Sequence, residues 1–232
     1  MKVLFIGNSH TFFNDMPQLF ARMVEEGTGE QVEAVMLAYS GRSLEWHEKE
    51  YFSLRFNLLY GGYDYCVIQQ AAHPFPPEEE TLQNGTRIIE LCKSVDTKPV
   101  LFMTWAEEKK PENQQQMIDV YSRLAQSTGA LLAPVGAIWQ QVQKRYPDIS
   151  LYWKRDGAHA SPYGDYLIAA TLYQTITGGD LEILSDTGLD FGAAMDIDFQ
   201  SPTVCEQPKE ILISLESDKV QKIKEIIKNF IV

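Results

Sequence analysis

No apolar stretch in the 232 residues approaches the roughly 20 that a helix needs to cross a bilayer, and the aliphatic segments are short and interrupted by polar residues. No membrane span is expected. Positive charge is scarce: 20 Lys+Arg stand against 32 Asp+Glu, a formal net charge of -12, and the largest basic cluster is the pair Lys109-Lys110. Affinity for a phosphate backbone rests on counterion release from basic contacts, so nucleic acid is excluded as a partner. Cysteine is nearly absent. Cys66, Cys92 and Cys205 are odd in number and far apart, and neither C-x-x-C nor a Cys/His zinc spacing occurs, so they read as free thiols. The apolar residues 3–6 are cut at Gly7-Asn8 before they could form a secretory leader, which makes cytoplasmic the expected location. Neither G-x-x-x-x-G-K-[ST] nor G-x-G-x-x-G is present, so no nucleotide cofactor is expected. His47-Glu48 is not part of H-E-x-x-H; it reads as a solvated helix segment, and no metal is expected.

What is present is ordinary globular composition, 44% hydrophobic and 22% charged, at a length below the roughly 250 to 300 residues where chains divide into domains. Residues 3–6 form a β-branched and aromatic run ended by Gly-Asn-Ser, and residues 16–26 repeat apolar side chains (Leu19, Phe20, Met23, Val24) at helical spacing. The alternation continues. Strands are expected at 32–37, 65–68, 100–103 and 130–133. Helices are expected at 44–60, 78–95, 112–127, 135–145 and 162–177. Unbroken apolar strands alternating with amphipathic helices imply a parallel sheet covered on both faces, hence a three-layer α/β/α fold. From Gly178 the character changes to glycines and acids, so residues 1–178 are read as the main domain. Residues 179–232 are read as an appendage, packed on the same domain through an amphipathic helix at 219–231 (Val220, Ile223, Ile226, Ile227, Phe230).

In open parallel sheets the ligand crevice lies at the carboxyl ends of the strands. Ser9 follows the first strand, Gly41 the second, Gln69, Gln70 and His73 the third, and Trp105 the fourth; Asp156 and His159 precede the 162–177 helix. A serine after strand one and a late Asp/His pair are the parts of a Ser-His-Asp hydrolase. Each also has a plain structural reading. Gly-Asn-Ser serves as a helix cap, Asp-Gly followed by Ser-Pro as a turn and helix start, and His10 as an ordinary helix-start residue. Trp105, Trp153 and Tyr152 are candidates for lining the cleft as substrate-binding aromatics, with core packing the equally plain alternative.

At these residues the chain resembles the SGNH (GDSL-type) serine hydrolases. Val3-Leu4-Phe5-Ile6-Gly7-Asn8-Ser9 is similar to the first block of that family, with G-N-S for the usual G-D-S. Asp156-Gly157-Ala158-His159-Ala160-Ser161-Pro162-Tyr163-Gly164 resembles the last block, and Gly41 matches the oxyanion glycine of the second. The resemblance covers roughly residues 2–178. It implies a flavodoxin-like five-stranded parallel sheet, no cofactor or metal, and a Ser9–His159–Asp156 triad acting on esters. The third block, usually G-x-N-D, departs. Laying residues 65–68 on its strand puts His73 in the asparagine's place, with Gln70 or Gln69 as the alternative third oxyanion donor beside the Ser9 and Gly41 N–H groups. The resulting expectation is a serine esterase removing a small acyl group, acetyl foremost, from a carbohydrate or similar polyol. The altered third block keeps open an impaired carbohydrate-binding or scaffold protein on the same fold.

Overall fold

The computed structural model describes residues 1–191 and 211–231; Cys205 and the rest of 192–210 in the appendage lie outside them. Five parallel strands, β1 (Lys2–Gly7), β2 (Glu33–Ala38), β3 (Tyr65–Ile68), β4 (Lys98–Phe102) and β5 (Leu131–Ala133), form one sheet in the order β2-β1-β3-β4-β5. Nine α-helices accompany them among the described residues: α1 (Ser9–Phe12), α2 (Met16–Thr28), α3 (Leu44–Lys49), α4 (Tyr51–Gly61), α5 (Glu78–Ser94), α6 (Gln114–Thr128), α7 (Val135–Arg145), α8 (Pro162–Thr177) and α9 (Ser217–Phe230). A two-stranded antiparallel ribbon, β6 (Leu189–Asp190) with β7 (Leu212–Ile213), precedes α9.

The central strands β1, β3 and β4 are apolar beyond their first residue because successive side chains point to opposite faces and both faces are covered there, whereas edge strand β2 is more open. Val3 and Phe5 of β1, Val67 of β3 and Val100 and Phe102 of β4 enter one core with α2, α7, α8 and α9. Leu4, Ile6, Cys66, Ile68 and Leu101 enter the other, with α3 to α6. Cys66 and Cys92 are buried free thiols in that second core. Leu181, Leu184, Leu189, Phe191, Leu215, Ile223 and Ile227 belong to the first core, so the described part of the appendage shares the hydrophobic interior of β1.

Three local differences from the sequence expectation have physical causes. The single helix expected at 44–60 breaks at Glu50, whose ψ of 48° leaves the helical region, giving α3 and α4. Strand β4 starts two residues earlier than the periodicity implies and includes Pro99. That residue precedes Val100, where β5 begins to pair, so its missing N–H falls where only one neighbour is present. The short helix α1 directly after β1 is too short to show a period, and it is built by Asn8, whose side-chain oxygen caps the N–H of His10.

Candidate active site

Ser9 is the first residue of α1, at the carboxyl end of β1, and is 8% exposed. Its position is fixed by amides that tie three strand ends together. Gln69 Oε1 accepts from Asn8 N–H (2.8 Å) and from the Thr11 hydroxyl (2.9 Å), while the Gln69 amide donates to Gln70 O. Asn8 Nδ2 donates to Arg42 O at 3.0 Å, and Gly7 O accepts from Tyr39 N–H at 3.1 Å. The turn after β2 is thereby held against the serine. Gly41, with φ +69°, is exposed in that turn, in a conformation that favours glycine. Neither Gly41 N–H nor Ser9 N–H has a protein acceptor among the described residues.

Asp156 and His159 lie at the tip of a hairpin-like loop closed by Trp153 N–H to His159 O (2.8 Å) and Ser161 N–H to Leu151 O (2.8 Å). Gly157 takes φ +66° at its tip. Asp156 Oδ1 accepts from the backbone N–H groups of Ala158 (2.9 Å) and His159 (3.0 Å), an Asx turn. Its other oxygen, Oδ2, lies 2.6 Å from His159 Nδ1, and His159 Nε2 lies 2.8 Å from Ser9 Oγ. Burial alone would raise the Asp156 carboxyl, but the hydrogen bonds from the His159 ring and from the two backbone N–H groups outweigh it and hold its pKa below the ordinary value. The carboxylate stays ionised and keeps the proton on Nδ1, leaving the Nε2 lone pair for the serine hydroxyl.

The aromatic surroundings of His159 were only partly legible in the sequence. Phe13 stacks on its ring at 4.6 Å between centroids and His10 at 4.9 Å. His10 is therefore a buried neighbour of the site. Burial first, then the adjacent His73 and His159, push its pKa well down. Trp153 packs on Phe13 (5.2 Å) and stands edge-on to His159 (6.5 Å), at the rim where Arg155 covers its ring.

Trp105, read as a cleft residue, is wholly buried. It stacks on Trp139 at 4.3 Å, and its Nε1–H donates to Ala158 O at 2.8 Å, so it braces the Asp156–His159 loop from beneath and has no surface for a substrate. Tyr152 is buried too, donating to Ala106 O at 2.8 Å. His47 is not solvated: its Nε2–H donates to Gly7 O at 2.8 Å inside the protein. Gln70 is fully buried, with Oε1 accepting from Leu44 and Ala71 N–H and one Nε2 N–H given to Thr81 Oγ1. Gln69 is engaged in the same way. His73 Nε2–H donates to Trp105 O at 3.1 Å and its Nδ1 is buried without a partner. Burial lowers its pKa, more than nearby Glu107 and the Trp105 carbonyl raise it. In this tautomer His73 presents a lone pair at Nδ1 and no second N–H.

Among the described residues no group of three or more His, Cys, Asp or Glu side chains could hold a metal, and no helix is long and apolar enough to cross a membrane.

A parallel sheet in this order, with a serine after β1 and an Asp/His pair ahead of α8, is the fold of the SGNH-type hydrolases. A Slackia heliotrinireducens protein described as a putative SGNH hydrolase is similar at TM-score 0.65 and 26% identity, over 76% of this chain and 98% of its own. A DUF4886-family protein from Bacteroides uniformis superposes over 99% of this chain and 93% of its own, at TM-score 0.66 and 16% identity. Axe2 from Geobacillus stearothermophilus, an acetylxylan esterase solved as a catalytic mutant, covers 76% and 94% at TM-score 0.64 and 16% identity. No protein-family model and no curated protein matches the chain.

Proposed function

We propose that the chain is a serine esterase that removes a short acyl group, acetyl foremost, from a carbohydrate or similar polyol. The observation that carries this reading is the continuous relay from Asp156 Oδ2 through His159 to Ser9 Oγ, at 2.6 and 2.8 Å. Ser9 Oγ attacks the ester carbonyl as its proton passes to His159 Nε2. The tetrahedral oxyanion is met by the Ser9 and Gly41 N–H groups at the N-terminus of α1 and in the β2 turn. As the intermediate collapses, the C–O bond to the alcohol breaks and the leaving alkoxide takes the proton from Nε2. Water, deprotonated by the same nitrogen, adds to the acyl-enzyme; collapse of the second oxyanion frees the carboxylic acid and returns the proton to Ser9 Oγ. Because His159 must protonate the leaving oxygen, the alcohol lies on the His159 side, beside the half-buried Trp153.

The acyl group is small on this reading because buried His10 and Phe13 pack around His159, with half-buried His73 edge-on to His10, and because the sequence carries no long apolar lid. The carbohydrate assignment is supported by Trp153 at the rim and by the likeness to a protein described as an acetylxylan esterase. The competing reading, a carbohydrate-binding protein with impaired chemistry, draws on the third block, where His73 gives its one N–H to Trp105 O and Gln69 and Gln70 lie buried with amide N–H groups bonded inside the protein. Losing one oxyanion donor costs about 2.7–4 kcal/mol, which slows an esterase without disarming it. Covalent labelling by a fluorophosphonate, together with hydrolysis of p-nitrophenyl acetate, tests the proposal. Wild type should be labelled at Ser9 and turn over the ester, and Ser9→Ala should do neither while remaining folded. A wild-type protein that is neither labelled nor active rejects the esterase.

A further inference from the structure

Helix α4 is apolar on two opposite faces, with Ser53, Arg55 and Asn57 between them, although only one of those faces meets the protein. Leu54 and Leu58 are buried against the second core. On the face turned away from them Phe52 is 84% exposed, Phe56 68% and Tyr60 72%, with Leu59 alongside. The spacing of four residues places the three rings in one row about 12 Å long at 1.5 Å per residue. Phe56 and Tyr60 already touch, with centroids 4.7 Å apart. A surface helix ordinarily carries polar residues on this face.

We propose that this row is a homodimer interface, in which α4 of a second copy packs antiparallel about a two-fold axis near Phe56, so that Phe52 of each chain meets Tyr60 of the other. Charge argues for a second copy. The chain carries a net charge of -12, which repels its own kind over most of the surface, yet residues 51–61 contain no acid and a single cation, Arg55. That guanidinium lies over the Tyr51 ring and donates to its hydroxyl at 2.5 Å, at the flank of the row. Two copies can therefore meet here without apposing their negative charge. Area argues the same way. A Phe or Tyr side chain carries about 150–250 Å², so the exposed fractions give roughly 500 Å² of apolar surface per chain, against about 800 Å² per partner in a standard interface that includes a polar rim. An antiparallel row of equal rings is self-complementary, as a two-fold interface requires. A sugar surface fits less well, because Phe52, Phe56 and Leu59 offer no hydrogen-bonding group, and an anionic lipid surface would need a basic fringe that residues 51–61 lack.

The test is sedimentation velocity or light scattering of the full chain from about 1 to 100 μM, where mass action converts monomer to dimer. Wild type should reach twice the chain mass, and Phe56→Glu should stay monomeric over the range with an unchanged far-ultraviolet spectrum. The milder Phe52→Ala should weaken dimerisation at least tenfold, and it keeps the proposal testable if Phe56→Glu fails to fold. A wild type monomeric at the highest concentration overturns the proposal, as does a dimer indifferent to both substitutions. Sedimentation of a monomeric wild type with neutral phosphatidylcholine vesicles, lost in Phe52→Ala, would overturn it in favour of a lipid surface. None of these readouts depends on esterase activity, so the interface stands or falls apart from the catalytic reading.

Discussion

His10 lies stacked against His159, with ring centroids 4.9 Å apart and planes 23° from parallel. Phe13 stacks on the same imidazole at 4.6 Å. The base is thus gripped by its edges through Ser9 and Asp156 and by its plane through aromatic contacts. His10→Ala removes a plane contact and frees His159 to turn, so kcat on p-nitrophenyl acetate should fall about tenfold or more with KM nearly unchanged. His10→Phe keeps a ring of similar size and should stay within about threefold of wild type, or about 0.65 kcal/mol of barrier. Equal rates for wild type and His10→Ala would mean that the stack does not orient the base.

Asp156 uses its two oxygens for different tasks, one for the loop and one for the imidazole. In Asp156→Asn the amide oxygen can still accept the Ala158 and His159 N–H groups, so the loop should keep its shape. The amide NH₂ then faces His159 Nδ1 and forces the proton onto Nε2, the wrong tautomer for accepting from Ser9. Steady-state kinetics should show kcat lower by about 10³-fold or more with an unchanged melting temperature. A loss under about tenfold would reduce Asp156 to a turn former.

How much of this was legible in the sequence depended on the range of the interaction. Apolar runs such as Val3 to Ile6 and Tyr65 to Ile68 announce strands buried on both faces, because a period is a local property. Ser9, Asp156 and His159 could be picked out because topology puts strand ends on one edge, and the structure brings the three within hydrogen-bond reach. The burial of His47 was not visible. Its neighbours Glu45, Glu48 and Lys49 are charged, and its partner, Gly7 O, is 40 residues away. Trp105 was illegible for the same reason: position after a strand says that a side chain is near the crevice, while distant carbonyls such as Ala158 O decide whether it points into it.

Asn8 holds the N–H of His10 with its oxygen and the carbonyl of Arg42 with its amide. Only the first bond survives in Asn8→Asp, since a carboxylate has no donor and would press an anionic oxygen against Arg42 O. The Gly41 turn should then shift away from Ser9 and its N–H leave the oxyanion. The expected result is kcat about 10-fold lower or more, with a loss of stability of about 1–3 kcal/mol from the unsatisfied contact, read by urea unfolding. Wild-type kinetics in this variant would show that Gly41 needs no tether.

His73 and Gln70 separate by the quantity each variant changes. Gln70→Ala strips partners from Leu44 N–H, Ala71 N–H and Thr81 in a fully buried place, so it should cost about 2 kcal/mol or more of stability. His73→Ala should lower kcat by less than about tenfold, because its one N–H is given to Trp105 O. A drop of about 10²-fold at constant KM would instead make His73 an oxyanion donor, with a tautomer or ring orientation other than the one described.

Asp165, in the first turn of α8, is completely buried; Asn14 donates to its Oδ2, and its Oδ1 has no partner. Burial raises its pKa well above the ordinary carboxyl value, and the hydrogen bond from Asn14 offsets only part of the rise. The folded chain therefore holds a proton that the unfolded chain releases from about pH 3.9 upward. The stability tied to that proton is fully present below the unfolded pKa and is lost as pH rises towards the folded one. Asp165→Asn is neutral at every pH and can keep the contact with Asn14 through its amide oxygen, so it escapes the loss. Paired thermal unfolding of the two proteins should show a difference that moves in favour of Asp165→Asn between about pH 4 and pH 8. Comparing the pair at each pH cancels the opposite contribution of Asp156, whose lowered pKa favours the folded state as pH rises. A difference that stays constant with pH would mean that Asp165 ionises in the folded protein as it does in the unfolded chain.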